Sequence, residues 1–297
     1  MPFRISAICL VLALLAPVRA AVPPPAGPEQ LLLAIATRQQ ALFVKADKEG
    51  GNLDEANFRQ AAQQFVQDYD DFLKKYPKYA PAYAAYGTML SRLDMGREAA
   101  SVLTRGDDMF TAMTKEPGAD TPAFRKAWAL LKNQLGNYTA EEGHPLEALA
   151  FFLSAIDLVP DEALYHYQLG MLLAEAHDDF VKAGNQTRTE VEKSMQQAFR
   201  RAAELAPKRF EFQYSYAESF YDVAEPDWDA ALKCWAVLEE GAETPVERET
   251  MRLHAANILL KQGKLDHARL MLASVTEPVL AAQKQKLVAQ LPAEAAK

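Results

Sequence analysis

Apolar residues along this chain recur three and four positions apart, the spacing that lines one face of an α-helix. Over residues 58–76 the pattern predicts one long amphipathic helix closing on Lys74-Lys75-Tyr76-Pro77, with a partner helix over 29–48. Over residues 129–160 the pattern folds back on itself: Leu135-Gly136 is followed by Gly143, Glu147-Ala148, Phe152, Ala155 and Pro160. Gly143 ends one helix at a tight turn and Pro160 cannot continue the next, so two antiparallel helices are predicted. Gly136 and Ala148 let these helices approach closely, while Leu135 and Phe152 fill the space between them. Alternating runs of Val, Ile and Thr are missing, which argues against a sheet.

The hairpin recurs. Leu169-Gly170 stands 34 residues after Leu135-Gly136. One copy opens near Ala80 with Tyr83, Tyr86-Gly87, Leu90, Arg97-Glu98-Ala99 and Leu103. Another opens at Ala163 and closes with Phe199, Ala202 and Pro207. A third opens at Phe210 and carries Tyr216-Ala217, Phe220, Asp227-Trp228, Ala231-Leu232 and Trp235. The last carries Ala255-Ala256, Leu259, Gln262-Gly263-Lys264-Leu265, Ala268, Leu272 and Val275. This spacing and these residue types resemble the tetratricopeptide repeat family over residues 30–275. The resemblance implies an all-α, right-handed superhelical solenoid of five to six antiparallel helix pairs, with the first helix of each pair lining an inner groove. A single hairpin cannot bury its own apolar face, so neighbours must stack.

The chain therefore divides into residues 29–79, a divergent first hairpin, residues 80–275, the repeats, and residues 276–297, a capping helix and tail. Residues 278–291 mix apolar with Lys and Gln positions at helical spacing, as the end of an open stack requires. Gly87 to Gly136 spans 49 residues, 15 beyond the unit, which predicts an inserted loop over 110–121 before Pro122 opens a helix. Gly170 to Ala217 spans 47, an excess of 13 that falls around 177–189. Ala183-Gly184-Asn185-Gln186-Thr187 within it has loop character.

Upstream, residues 1–20 have the form of a signal peptide. Arg4 supplies a positive start, residues 5–16 a short apolar run broken by Pro17, and Val18-Arg19-Ala20 a cleavage site before Ala21. Twelve apolar residues fall short of the roughly 20 that span a bilayer. Residues 21–28 then form a Pro-rich, flexible terminus. A periplasmic or secreted protein is expected, free or within a membrane-associated complex, with no integral span once the signal is cleaved. The pattern specifies no oligomeric state.

Composition narrows the ligand. The net charge of −8 becomes −10 when Arg4 and Arg19 leave with the signal peptide, and such a surface repels nucleic acid. Cleavage also removes Cys9, leaving Cys234 in Ala-Leu-Lys-Cys-Trp as a small buried hydrophobe with no disulfide partner. The five histidines are scattered, and there is no His-Glu-x-x-His, phosphate-cradling glycine loop or Gly-x-Ser-x-Gly elbow. No cofactor, metal site or catalytic residue is expected.

The tetratricopeptide resemblance implies groove positions beside each crossing residue. With Gly136 as the eighth position, these are Asn133 and Asn137, then Tyr167 and Met171, then Tyr214, Glu218, Tyr221 and Asp222. The lysines and arginines that clamp a C-terminal carboxylate in some family members are absent. Tyrosines offer broad contact at low entropic cost, acids attract a basic segment, and Asn133 and Asn137 have amides for a peptide backbone. The expected function is a non-enzymatic scaffold for an extended, neutral-to-basic protein segment, in envelope assembly or a secreted complex. A carbohydrate binder or an all-α enzyme using the aromatic and acidic groove is the alternative.

Overall fold

Helix starts are written into the sequence as prolines and short polar caps. Pro28, Pro81, Pro122, Pro145 and Pro245 each sit in the first turn of a helix, where the absent N–H leaves nothing unpaired. The side chains of Thr121, Thr187, Asp227 and Thr244 accept from the backbone N–H three residues on. The computed structural model describes residues 27–50, 54–184 and 186–292, and every regular element among them is helical. The expected signal peptide, nearly all of the Pro-rich segment and residues 293–297 lie outside the described residues.

The chain divides into two units between Pro160 and Asp161. In the first, α1 (Pro28–Glu49) pairs with α2 (Glu55–Lys75), α3 (Pro81–Arg92) with α4 (Gly96–Met113), and α5 (Pro122–Glu141) with α6 (Pro145–Leu158). Helix α3 also packs on α2 and α5, so residues 82–90 are all buried. Ala82, Ala84, Ala85 and Gly87 permit that approach from several sides. From α2, the fully buried Tyr69 stacks on Tyr86 at 5.0 Å and donates its hydroxyl to Gln39 Oε1 at 2.7 Å. That bond removes two polar atoms from the list of buried groups needing a partner.

In the second unit, α7 (Ala163–Glu175) pairs with α9 (Arg188–Leu205), and the short α8 (His177–Lys182) lies between them in sequence. Helix α10 (Phe210–Ser219) pairs with α11 (Trp228–Gly241), and α12 (Pro245–Lys261) with α13 (Leu265–Ala273). Contacts of α9 with α10 and of α11 with α12 join consecutive pairs. A 3-10 turn (Pro278–Leu280) and α14 (Ala281–Val288) close against α12 and α13. Glu249 of α12 anchors this end, accepting from the N–H groups of Thr276 and Glu277 at 2.6 Å each and from the Thr276 hydroxyl at 2.9 Å.

Glycine and alanine occupy the crossings. A Cβ on Gly136 would stand 2.7 Å from the Phe152 ring, and one on Gly170 would stand 2.7 Å from the Phe199 ring. Ala217 and Ala256, at the equivalent points of the next two pairs, are fully buried. Gly143 and Gly263 turn the chain between helices at φ 82° and 71°, a conformation that costs a side chain dearly.

Both insertions differ from expectation in how their residues are spent. The segment 110–121 is not a loop throughout: α4 runs on to Met113, and only 114–121 are non-helical. Phe110 explains it. Its ring is fully buried, edge-on to Phe124 at 5.1 Å and stacked on Trp128 at 5.9 Å. Burying those rings rewards extra helical turns on α4 and α5, which reach 18 and 20 residues against 14 in α6. Likewise the second surplus begins as helix α8, seated by Phe180 at 2% exposure, before the turn that carries Ala183 and Gly184.

Candidate functional site

The groove positions inferred from the repeat separate into those consumed by packing and those left at a surface. In the first unit, Asn133 of α5 is fully buried and neither of its amide atoms has a hydrogen-bond partner. Asn137, one turn on, is partly exposed. In the second unit, Tyr167 of α7 is 9% exposed and lies against Phe212 at 4.7 Å and Phe199 at 5.9 Å. Met171 is partly buried on the same helix.

Tyr214, Glu218, Tyr221 and Asp222 come together. The first two stand one turn apart on α10, and the others follow in the segment that leaves its C-terminus. Across from them α12 presents His254 and Asn257, and α11 presents Trp228 and Trp235. Trp235 is fully buried, and His254 lies flat on it with ring centroids 3.8 Å apart and planes within 4°. Tyr214 meets Trp235 edge-on at 5.3 Å, and its hydroxyl is 3.5 Å from His254 Nε2. Tyr221 packs on Trp228 at 5.7 Å; its hydroxyl donates to the His254 carbonyl at 3.3 Å and lies 3.4 Å from Nδ1. Lys261 Nζ is 5.5 Å from the Trp228 ring centre, so one ammonium of the chain already uses an aromatic face here.

The electrostatics follow from partial burial, with no cation among the described residues pairing with either acid. Desolvation raises the Glu218 pKa, a hydrogen bond from Tyr214 opposes the rise, and nearby Asp222 adds to it. Asp222 is raised by burial and then by the charge of Glu192. Neither acid is ion-paired among the described residues, and each still keeps part of its surface in solvent. Glu192 of α9 is 6% exposed and accepts the Ala224 N–H at 2.9 Å, pinning the segment that carries Tyr221 and Asp222. Burial also moves the His254 pKa down to about 4 and the Cys234 thiol up to about 11. The imidazole is therefore neutral and the thiol protonated at neutral pH.

His254, Asn257, Trp235 and Glu192 were not among the residues expected here. Continuing the repeat register into the last copy, with Ala256 as its eighth position, would have placed Asn257 and Lys261 in the groove set. His254 lies outside that register and joins only because α10 and α12 are brought together across 40 residues. Among the described residues no group of three or more His, Cys, Asp or Glu is placed to hold a metal ion. No described helix is long and apolar enough to cross a membrane.

No protein-family model matches the chain, and no curated protein matches it. Similar solved structures carry the comparison. One is YrrB, described as a TPR protein with an unusual peptide-binding site, with a TM-score of 0.55 at 17% identity over 73% of this chain and 97% of that one. Another is PilF of Pseudomonas aeruginosa, with a TM-score of 0.55 at 13% identity over 89% of this chain and 99% of that one. Taken with the helix pairs and their small crossing residues, these likenesses show that the chain has a tetratricopeptide-like fold.

Proposed function

We propose that this protein is an exported, non-enzymatic interaction scaffold that holds an extended, neutral-to-basic segment of another protein. The place is the surface of the second unit formed by Tyr214, Glu218, Tyr221 and Asp222. One observation carries the reading: two solvent-facing acids without a cationic partner among the described residues stand beside two tyrosines whose rings are fixed from behind by Trp228, Trp235 and His254. A lysine or arginine of a ligand gains charge attraction and an aromatic face at once. Tyrosine adds contact area with few torsions to freeze. The similarity to YrrB supports peptide binding as a use of this fold. The signal-like residues 1–20 support the periplasm or the exterior as its compartment, with envelope assembly as the setting. The carbohydrate-binding or enzymatic alternative is not favoured.

The test is charge reversal. Glu218→Lys combined with Asp222→Lys is expected to weaken capture of the native partner from envelope extract while the melting temperature holds. Both side chains are exposed, so their replacement removes little packing. Undiminished capture by the double variant would sink the proposal.

A further inference from the structure

The face of α10 that carries Tyr214 and Glu218 begins one turn earlier, at Phe210. With Ala217 as the eighth position of its copy, Phe210 is the first. In the other copies packing consumes this position: Ala80, Ala129, Ala163 and Glu249 hold it, and all are buried. Phe210 is 50% exposed, the one exposed aromatic side chain among the described residues. Its ring leans on Tyr214 at 5.6 Å, while Arg209 and Glu211 on either side of it pair with each other. A single exposed apolar side chain is ordinary on a protein surface. This one stands where the repeat needs no large ring, and it continues the aromatic and acidic face.

Resting on the groove reading above, we infer that Phe210 is the anchor that selects among basic segments. It covers a large apolar or aromatic side chain of the ligand, about four residues from the lysine or arginine that meets Glu218 and Asp222. A basic segment without that apolar partner leaves Phe210 in water and binds more weakly.

The spacing follows from geometry. Phe210 and Glu218 lie about two turns apart on α10, roughly 12 Å along its axis. An extended ligand advances ~3.3 Å per residue and sends alternate side chains to opposite faces. Residues about four apart therefore span about 13 Å and reach the same surface. An odd spacing turns one of the two away. The far end of the surface has the other character. Past Tyr221, the exposed Lys261 holds its Nζ 5.5 Å from the Trp228 ring centre and opposes a second ligand cation there. The apolar contact therefore belongs at the Phe210 end.

Random peptides displayed on phage and selected on the full chain test this. The selected sequences are expected to pair Lys or Arg with an aromatic or large aliphatic residue four positions away more often than three. Selection on Phe210→Ser is expected to keep the basic preference and lose the apolar one. Selection on Glu218→Lys with Asp222→Lys is expected to lose the basic one. Basic residues selected by the wild type without a spaced apolar partner overturn the inference and leave the groove reading standing. No preference for basic residues removes the groove reading and the inference with it. A peptide selected on the wild type is expected to bind Phe210→Ser roughly five- to thirtyfold more weakly, as on loss of an aromatic anchor. Phe210→Leu, which keeps an apolar cover, is expected to recover most of that affinity. Equal binding by the wild type and Phe210→Ser overturns the inference. If Phe210→Ser does not fold, NMR of the wild type decides. The Phe210 ring signals, assigned through Phe210→Leu, are expected to shift as the selected peptide is added, and a ring that stays still overturns the inference.

Discussion

At the scale of single residues, small side chains carry the architecture and large ones fill what they leave. Gly136 is the clearest case, because a methyl group there meets the rigid Phe152 ring at 2.7 Å rather than a flexible chain end. Gly136→Ala should therefore destabilise the first unit by about 1–3 kcal/mol, the cost of overpacking a core. Urea denaturation checks this, and an unchanged midpoint would show that α5 and α6 separate freely. The sequence alone picks out Gly136, since a helix interior tolerates glycine poorly unless something approaches it. It misplaces Asn133. Its repeat position points to the groove, yet the side chain is fully buried. Register along one helix says which way a side chain leaves the axis, not what other helices have been packed over it.

Elements show the same division. Caps, prolines and turn glycines mark where helices begin and end, because these effects act within four residues along the chain. The extent of α4 and α5 was not legible, because it is decided by Phe110, Phe124 and Trp128 meeting across a turn. The closing segment after α13 depends on a longer-range contact still. Glu249 holds Thr276 and Glu277, and the backbone donor at Glu277 is the foremost cause of its lowered pKa. A lowered carboxylate pKa contributes stability that is present above the unfolded value and is lost as pH falls through the folded one. Glu249→Gln should accordingly speed amide exchange over residues 276–292 at neutral pH. It should also flatten the acid-induced rise in exchange that the wild type shows there. Equal exchange in both proteins would mean that the apolar contacts of Leu280, Leu287 and Leu291 suffice to hold this end.

For the whole molecule, the half-buried imidazole of His254 links pH to stability with a definite sign. The His254 pKa is depressed from 6.5 to about 4, so the unfolded chain takes up a proton first as pH falls. Its contribution is therefore complete above 6.5 and is lost progressively between 6.5 and about 4. Urea unfolding at several pH values should show wild-type stability falling more steeply over that window than His254→Gln, and parallel slopes would place the ring in water. The sequence by itself determined the helical class, the hairpin repeat, the crossing residues and the acidic, tyrosine-bearing composition of the positions inferred for a groove. These rest on short-range spacing and composition, which a linear chain displays in full. Only the tertiary structure decided that Asn133 and Tyr167 are spent on packing. It also decided that Tyr214 and Tyr221 share one imidazole with each other, and that the acids beside them have no ion-pair partner among the described residues. Those outcomes depend on residues 30 to 40 positions apart meeting at hydrogen-bond distance, which sequence spacing constrains but packing alone fixes.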